Sequence, residues 1–115
     1  MNKSRRKRLT AVISLMMELK KMENSVDTQN KLKAAAQLVD EVNDEEEMAY
    51  DNLPESMMWS AKADAYTDNL DNLADALVDI ELIAEKYEEA TDNPYHLVEK
   101  EVSSVIRNCT EVIER

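Results

Sequence analysis

The chain has 115 residues, no glycine, no phenylalanine and only two prolines, which argues against β-sheet folds because these need turn glycines and aromatic or β-branched strands. Its hydrophobic content of 43% is too high for a wholly disordered chain, and no apolar run approaches the roughly 20 residues of a membrane span. The net charge of −11 is unevenly distributed, because the first eight residues hold five bases whereas residues 40–92 hold 18 acids and two bases.

The first predicted helical region covers residues 4–51. Residues 24–30 are polar and weaken its apolar pattern, so Ser25 or Asp27 could cap a second helix there. No glycine or proline forces a stop, and we therefore favour one continuous helix. Beyond the polar stretch a heptad stripe returns and includes one acid, Glu46. This acid is expected at the rim of the packed region or opposite a base of another helix.

Four consecutive bases, Arg5, Arg6, Lys7 and Arg8, lie in the first turns of this helix. The helix dipole favours acids at that place, so the bases are a local misfit. They are interpreted first as a solvated end or as partners of acids on another helix or subunit. A nucleic-acid contact and a membrane-surface contact are the alternatives. Direct nucleic-acid binding is disfavoured, because no aromatic residue separates the bases and the rest of the chain is acidic.

Residues 51–56 predict a tight turn between two helices. Pro54 cannot continue the first helix, and it suits the first position of a second helix over residues 56–90. Trp59 lies on the backward extension of that helix's apolar stripe, so it is expected to pack as a lid on the hairpin end. The alternative is that Trp59 joins Met57 and Met58 in a partner-binding patch.

The second helix carries the strongest pattern in the chain, an unbroken heptad stripe typical of a helix packed along another helix. The stripe consists of Ala63, Tyr66, Leu70, Leu73, Leu77, Ile80, Ala84 and Tyr87. A last helix over residues 94–114 has a wide apolar face, which indicates contact with more than one helix.

These patterns predict an all-α fold in a single domain over residues 1–115. The expected architecture is an antiparallel helical hairpin or coiled coil plus a C-terminal helix, which makes a three- or four-helix bundle. The basic N-terminal turns would overhang the hairpin, with Leu9, Val12, Ile13 and Met16 as a dimerisation surface. A homo-oligomer is therefore favoured over a monomer.

Acids recur along one side of each hairpin helix, in two rows that we call the acidic rails. The first rail is Asp40, Asp44, Glu47 and Asp51, and the second is Asp64, Asp68, Asp71, Asp75 and Asp79. Each rail has about one carboxylate per ~5.4 Å helical turn, whereas a DNA strand has one phosphate per ~3.4 Å. The rails could therefore occupy a cationic nucleic-acid channel, or they could serve solubility alone.

No motif for catalysis, metal or cofactor stands out. His96 is the only histidine and Cys109 the only cysteine, whereas zinc sites need clusters of both and bundle di-metal sites need Glu-x-x-His pairs. A chain without glycine has no glycine-rich phosphate loop. We therefore expect a protein that is not an enzyme, with no metal and no cofactor.

Residues 45–56, EEEMAYDNLPES, resemble a motif of small helical proteins from phages and prophages of Gram-positive gut bacteria. Those proteins also begin with Met-Asn-Lys and a basic run such as Arg5-Arg6-Lys7, and they carry a helix rich in Leu, Ala and Asp, like residues 69–80. The resemblance covers about residues 1–90. It implies a mobile-element origin and a helical hairpin, and it assigns no role to any residue.

The favoured function is that of an acidic, all-helical interaction protein of phage or mobile-element origin. It would inhibit a host nucleic-acid-handling or defence protein, by analogy with anti-CRISPR proteins and DNA mimics. Its partner surface would comprise the acidic rails and Trp59. The alternative is a self-associating coiled-coil module. The single cysteine and the lack of a signal-peptide pattern favour the cytoplasm of the bacterial host, without a membrane role.

Overall fold

A computed structural model describes residues 1–115 and contains four α-helices and no strand. The helices are α1 (Lys3–Glu18), α2 (Val26–Asp51), α3 (Ala61–Glu89) and α4 (Tyr95–Glu114), with short 3-10 helices at Leu19–Lys21 and Glu55–Met57. The predicted all-α helical bundle is confirmed, in its four-helix form. None of the helices combines the length and the hydrophobicity that a membrane span requires.

The four helices alternate in direction and enclose one elongated core. Each helix packs on the one before it, and α1 also packs on α4, which closes the bundle. Arg5 near the start of α1 contacts Glu46 near the end of α2, and Asn72 in the first half of α3 contacts Asn108 in the second half of α4. The molecule measures 54 × 21 × 20 Å, so the helices run along its long axis.

The hairpin of α2 and α3 extends past the other two helices at one end. The first turns of α1 lie beside Glu45 and Glu46, and the last residue of the chain, Arg115, lies beside Asn69. Beyond these contacts the bundle narrows to two helices and their connection. We call this projecting segment, residues 47–68, the hairpin tip.

The prediction of a continuous helix over residues 4–51 is wrong, because the chain leaves the helical conformation between Lys21 and Val26. Met22 is extended, with φ −89° and ψ 143°. Ser25 begins α2 as its N-cap, since its hydroxyl oxygen accepts a hydrogen bond from the Thr28 backbone N–H at 3.2 Å. The alternative prediction, a second helix capped by Ser25, is therefore the correct one.

Asn24 holds this break in place through contacts with a distant part of the chain. Its side-chain amide donates to three backbone carbonyls at the end of α3 and just after it, those of Tyr87, Ala90 and Asp92, at 3.0, 3.1 and 2.9 Å. Its side-chain oxygen accepts a hydrogen bond from Gln29. These bonds form because residues 22–25 leave the helix and bring Asn24 next to the end of α3. The break is therefore stabilised by tertiary structure.

The predicted start of the second helix near residue 56 is also wrong. Residues Glu55–Met57 form a separate 3-10 turn after Pro54, and α3 begins only at Ala61. The Ser60 hydroxyl provides the cap, because it accepts a hydrogen bond from the Ala63 backbone N–H at 3.3 Å.

Eighteen buried residues drawn from all four helices and from Leu19 form one hydrophobic cluster. On α3 the buried face is wider than the predicted heptad stripe and is rotated from it. Leu73, Ile80 and Tyr87 of the stripe are fully buried, but so are Ala76 and Ile83 beside it. Four further stripe residues are only half-buried, namely Tyr66, Leu70, Leu77 and Ala84. The reason is that α3 packs between α2 and α4 and divides its apolar face between them.

The predicted overhang of α1, with its dimerisation surface, is not observed. Because the chain turns back at residues 22–25, α1 lies against α2 and α4 of the same molecule. Leu9, Val12 and Met16 are buried in the core, and Ile13 is half-buried. The surface that was expected to support a homo-oligomer is therefore largely covered within one molecule.

We expect Leu73→Ala to lower the free energy of unfolding by about 2–5 kcal/mol, because it leaves a cavity between three helices. Leu82→Ala is the matched control on the same helix, since Leu82 is 37% exposed whereas Leu73 is 0% exposed. Urea unfolding followed by far-UV circular dichroism measures both values. Similar losses for the two variants would contradict the assigned core.

We expect Asn24→Asp to destabilise the fold by about 1–3 kcal/mol, because a carboxylate oxygen would replace the amide that donates to three carbonyls. Asn30→Asp makes the same chemical change at an exposed position of α2. Urea unfolding again provides the measurement. If Asn30→Asp cost as much as Asn24→Asp, the role assigned to the break would be wrong.

Candidate protein-binding surface

The acidic rails lie on the outside of the bundle. All of their carboxylates are exposed except that of Asp79, which is half-buried. No rail carboxylate forms an ion pair or a side-chain hydrogen bond, although the molecule has ion pairs elsewhere. The sequence therefore predicted the solvent-facing side of each helix correctly, and the rails present unpaired carboxylates to solvent.

The two rails border different grooves. Asp40 of the first rail lines a groove between α2 and α3 together with Leu77 and Glu81. Asp79 of the second rail lines a groove between α3 and α4 beside Lys100. Residues three and four apart share one side of a helix, so each rail follows its own groove. The rails form two separate acidic lines and do not face each other.

Two of the four consecutive N-terminal bases form ion pairs within the molecule. The Arg8 guanidinium donates from two nitrogens to the two carboxylate oxygens of Glu45, with Nη2 to Oε1 at 2.6 Å. Arg5 Nη1 donates to Glu46 at 3.2 Å. Pairing with acids of another helix, the first interpretation of these bases, is therefore observed for both arginines. Arg6 and Lys7 are exposed and form no ion pair.

The hydrogen bonds from Arg8 lower the pKa of Glu45, and they outweigh the opposing effect of burial. The same hydrogen bond raises the pKa of Arg8. This pair joins the first turns of α1 to the last turns of α2. It leaves the predicted basic contact with only Arg6 and Lys7 free among its four residues.

Glu46 is fully buried and begins a polar cluster that crosses the bundle. Its carboxylate accepts hydrogen bonds from Arg5 and, at 3.3 Å, from the Asn69 side-chain amide. Arg115 then donates to the side-chain oxygens of Asn69 and Asn72, both at 2.9 Å. The expectation that a base would answer Glu46 from another helix is confirmed.

The sequence reasoning missed the asparagines of this cluster. Asn69 and Asn108 are buried, and Asn72 donates to Asn108 at 2.7 Å and to Glu111 at 2.8 Å. The available signal was their position, because Asn69 lies directly beside Leu70 of the α3 stripe and Asn108 lies directly beside Cys109 on the apolar side of α4. Three members of the cluster, Glu46, Asn69 and Arg115, line a cavity of about 150 Å³ together with Lys62, where α1 begins and α4 ends.

Trp59 is not a lid on the hairpin, as the sequence first suggested. Its side chain is 95% exposed, the highest value among the large hydrophobic residues. The reason is that α1 and α4 end before the hairpin tip, so no helix reaches Trp59. Met57 and Met58 beside it are half-buried. Trp59 lies between the ends of the two rails, since Asp51 is the last residue of α2 and Asp64 lies in the first turn of α3.

The largest cavity is an apolar groove of about 360 Å³ between α1 and α2. Leu15, Met22 and Leu38 are among its apolar lining residues, and Ser14, Glu18 and Lys31 are its polar ones. Lys31 is paired with Asp27. The groove therefore offers mainly shape and apolar contact.

The only cysteine and the only histidine of the chain lie far apart in their surroundings, one in the core and one on the surface. Cys109 is buried in the core, and burial raises the pKa of its thiol to about 12. His96 lies exposed in the first turn of α4. No group of three or more His, Cys, Asp or Glu side chains could hold a metal ion.

We expect Glu45→Gln to reduce the loss of stability on acidification. The pKa of Glu45 is lower in the folded chain than its ordinary value of 4.5, so the unfolded chain takes up this proton first as the pH falls. The ion pair therefore stabilises the fold above about pH 5 and loses its effect below that range. Urea midpoints measured across acidic pH should fall less steeply for Glu45→Gln than for the unchanged protein.

The control for this measurement is Glu47→Gln. Glu47 lies two residues after Glu45, and its exposed carboxylate has no ion-pair partner. This variant should retain the pH dependence of the unchanged protein. A Glu47→Gln profile that matches that of Glu45→Gln would show that general charge, and not the Arg8 pair, causes the effect.

Comparison with known proteins finds no relative of this chain. No protein-family model, no curated protein and no solved structure matches the chain. The features that point to a function are therefore those of the surface itself, with its two unpaired acidic rails and the exposed Trp59 between their ends.

Proposed function

We propose that this chain is an interaction protein of phage or mobile-element origin, which acts in the cytoplasm of a bacterial host. It binds a basic, nucleic-acid-handling host protein and blocks the surface where that protein would bind DNA or RNA. The origin rests on the resemblance of residues 45–56, and the binding mode rests on the charge of the outer surface.

The observation that carries the proposal is the segregation of charge. All nine rail carboxylates lack an ion-pair partner, although the chain has 14 bases. Arg5 and Arg8 are paired with Glu45, Glu46 and Glu41, and only two bases occur within residues 40–92. Arg5 and Arg8 are thus occupied by acids outside the rails, and the rail carboxylates remain available to a basic partner.

The dimensions of the rails suit a nucleic-acid-binding surface. From Asp64 to Asp79 the second rail extends about 22 Å, and the first extends about 17 Å, at ~1.5 Å per helical residue. A single DNA strand presents about six phosphates over the longer distance, at ~3.4 Å each. The rails carry fewer charges than that, so we expect them to steer association and to make it salt-dependent.

We expect replacement of Asp68, Asp71 and Asp75 by lysine to weaken binding by at least about tenfold, because like charges would then meet across the interface. The partner is first isolated on the immobilised chain from a nuclease-treated lysate of a Gram-positive host and eluted with salt. The purified enzyme is then assayed for nucleic-acid binding with each variant present. Inhibition by the unchanged protein, and its loss in the triple variant, is the expected result.

The matched control replaces Glu23, Glu99 and Glu114 by lysine. These acids are exposed, carry no ion pair and lie outside the rails, and the change in net charge is the same. Equal losses for the two triple variants would reject the rails in favour of net charge alone. A chain that captures only itself and sediments as a dimer would support the self-associating module instead.

A further inference from the structure

Trp59 at the hairpin tip is the most exposed large hydrophobic residue of the molecule and has no assigned structural role. Its side chain is 95% exposed and lies just before Ser60, which caps α3. Tryptophan is among the residues that most often dominate the binding energy of protein interfaces. An indole held in water at the end of a projecting hairpin is therefore placed to meet another molecule.

The charge around Trp59 indicates which kind of molecule would bind at the hairpin tip. The hairpin tip carries five acids and a single base, Lys62. The acids are Glu47, Asp51, Glu55, Asp64 and Asp68, and none of them forms an ion pair. A second copy of the chain would bring the same negative tip, and nucleic acid or an anionic membrane would be repelled. A basic protein segment is the occupant that this charge attracts.

We propose that Trp59 anchors the bound partner by stacking on an arginine side chain of a basic protein segment. This inference rests on the proposed function, since it names the contact within the same acidic surface. Arginine is favoured over lysine because its planar guanidinium stacks on an aromatic face and is weakly hydrated. Asp51 and Asp64, which end the two rails, precede and follow Trp59 along the chain by eight and five residues, so they would meet the neighbouring bases of the same segment.

The single tryptophan makes the contact directly observable, because intrinsic tryptophan emission reports the hairpin tip alone. The probes are a short peptide in which arginine alternates with serine and a peptide of the same length with lysine in place of arginine. We expect the arginine peptide to change the Trp59 emission saturably. We also expect it to bind at least about threefold more tightly than the lysine peptide.

Trp59→Leu keeps an apolar side chain and removes the aromatic face. We expect it to weaken binding of the arginine peptide about three- to tenfold in calorimetry and to abolish the preference over lysine. Leu97→Ala is the control, because Leu97 is 61% exposed at the opposite end of the bundle. It should leave both affinities unchanged.

The proposal fails if Trp59→Leu binds the arginine peptide as tightly as the unchanged protein. In that case a loss of affinity on replacing Asp68, Asp71 and Asp75 by lysine would still support the proposed function, whereas no loss there would reject both. A shift of Trp59 emission with vesicles of zwitterionic or anionic lipid would overturn the basic protein segment as occupant. A shift with rising protein concentration alone would overturn it in favour of a second copy.

Discussion

The architecture depends on the hydrogen bonds that Asn24 makes with the backbone at the end of α3. Three carbonyls at the end of α3 and just after it accept hydrogen bonds from this one side-chain amide, so the end of α3 gains partners for its backbone and residues 22–25 are fixed beside it. A second contact supports the break, since the Asn93 side-chain amide donates to the Met22 carbonyl at 3.2 Å. Because the chain turns there, α1 folds back along α2 and closes the bundle against α4.

The same turn resolves the electrostatic misfit of the N-terminus. Bases at the start of a helix oppose its dipole, whereas bases near the end of a helix are favoured. In the antiparallel arrangement the first turns of α1 lie beside the last turns of α2, where Arg5 and Arg8 meet Glu45 and Glu46. The two remaining ion pairs, Lys31–Asp27 and Lys33–Glu88, lie near the other end of α2. None of the ion pairs includes a rail carboxylate, so the rails stay unpaired on the outer surface of α2 and α3.

The polar cluster around Glu46 limits how the helices can slide along one another. A buried carboxylate costs several kcal/mol unless it is paired and hydrogen-bonded, and Glu46 finds its partners only in the observed register. Moving α3 by one turn along α2 would separate Glu46 from Asn69, and moving α4 along α3 would separate Asn72 from Asn108. Apolar stripes alone tolerate such shifts better, because one aliphatic contact can replace another.

The position of Trp59 follows from helix lengths. α1 has 16 residues and α4 has 20, whereas α2 and α3 have 26 and 29. The shorter helices cannot cover both ends of the longer pair, and the core at the hairpin tip narrows to the contact between two helices. An indole at that tip remains in water, and the ends of both acidic rails lie nearby.

Local spacing in the sequence was enough to predict the helical class, part of the buried stripe of α3 and the exposed side of the acidic rails. These features repeat every three to four residues, so they are readable from neighbours along the chain. The break at Asn24, the partners of Arg5 and Arg8, the burial of Asn69 and the exposure of Trp59 were decided by tertiary structure. Each depends on which distant residues meet or fail to meet, and a local pattern contains no information about a carbonyl more than 60 positions away.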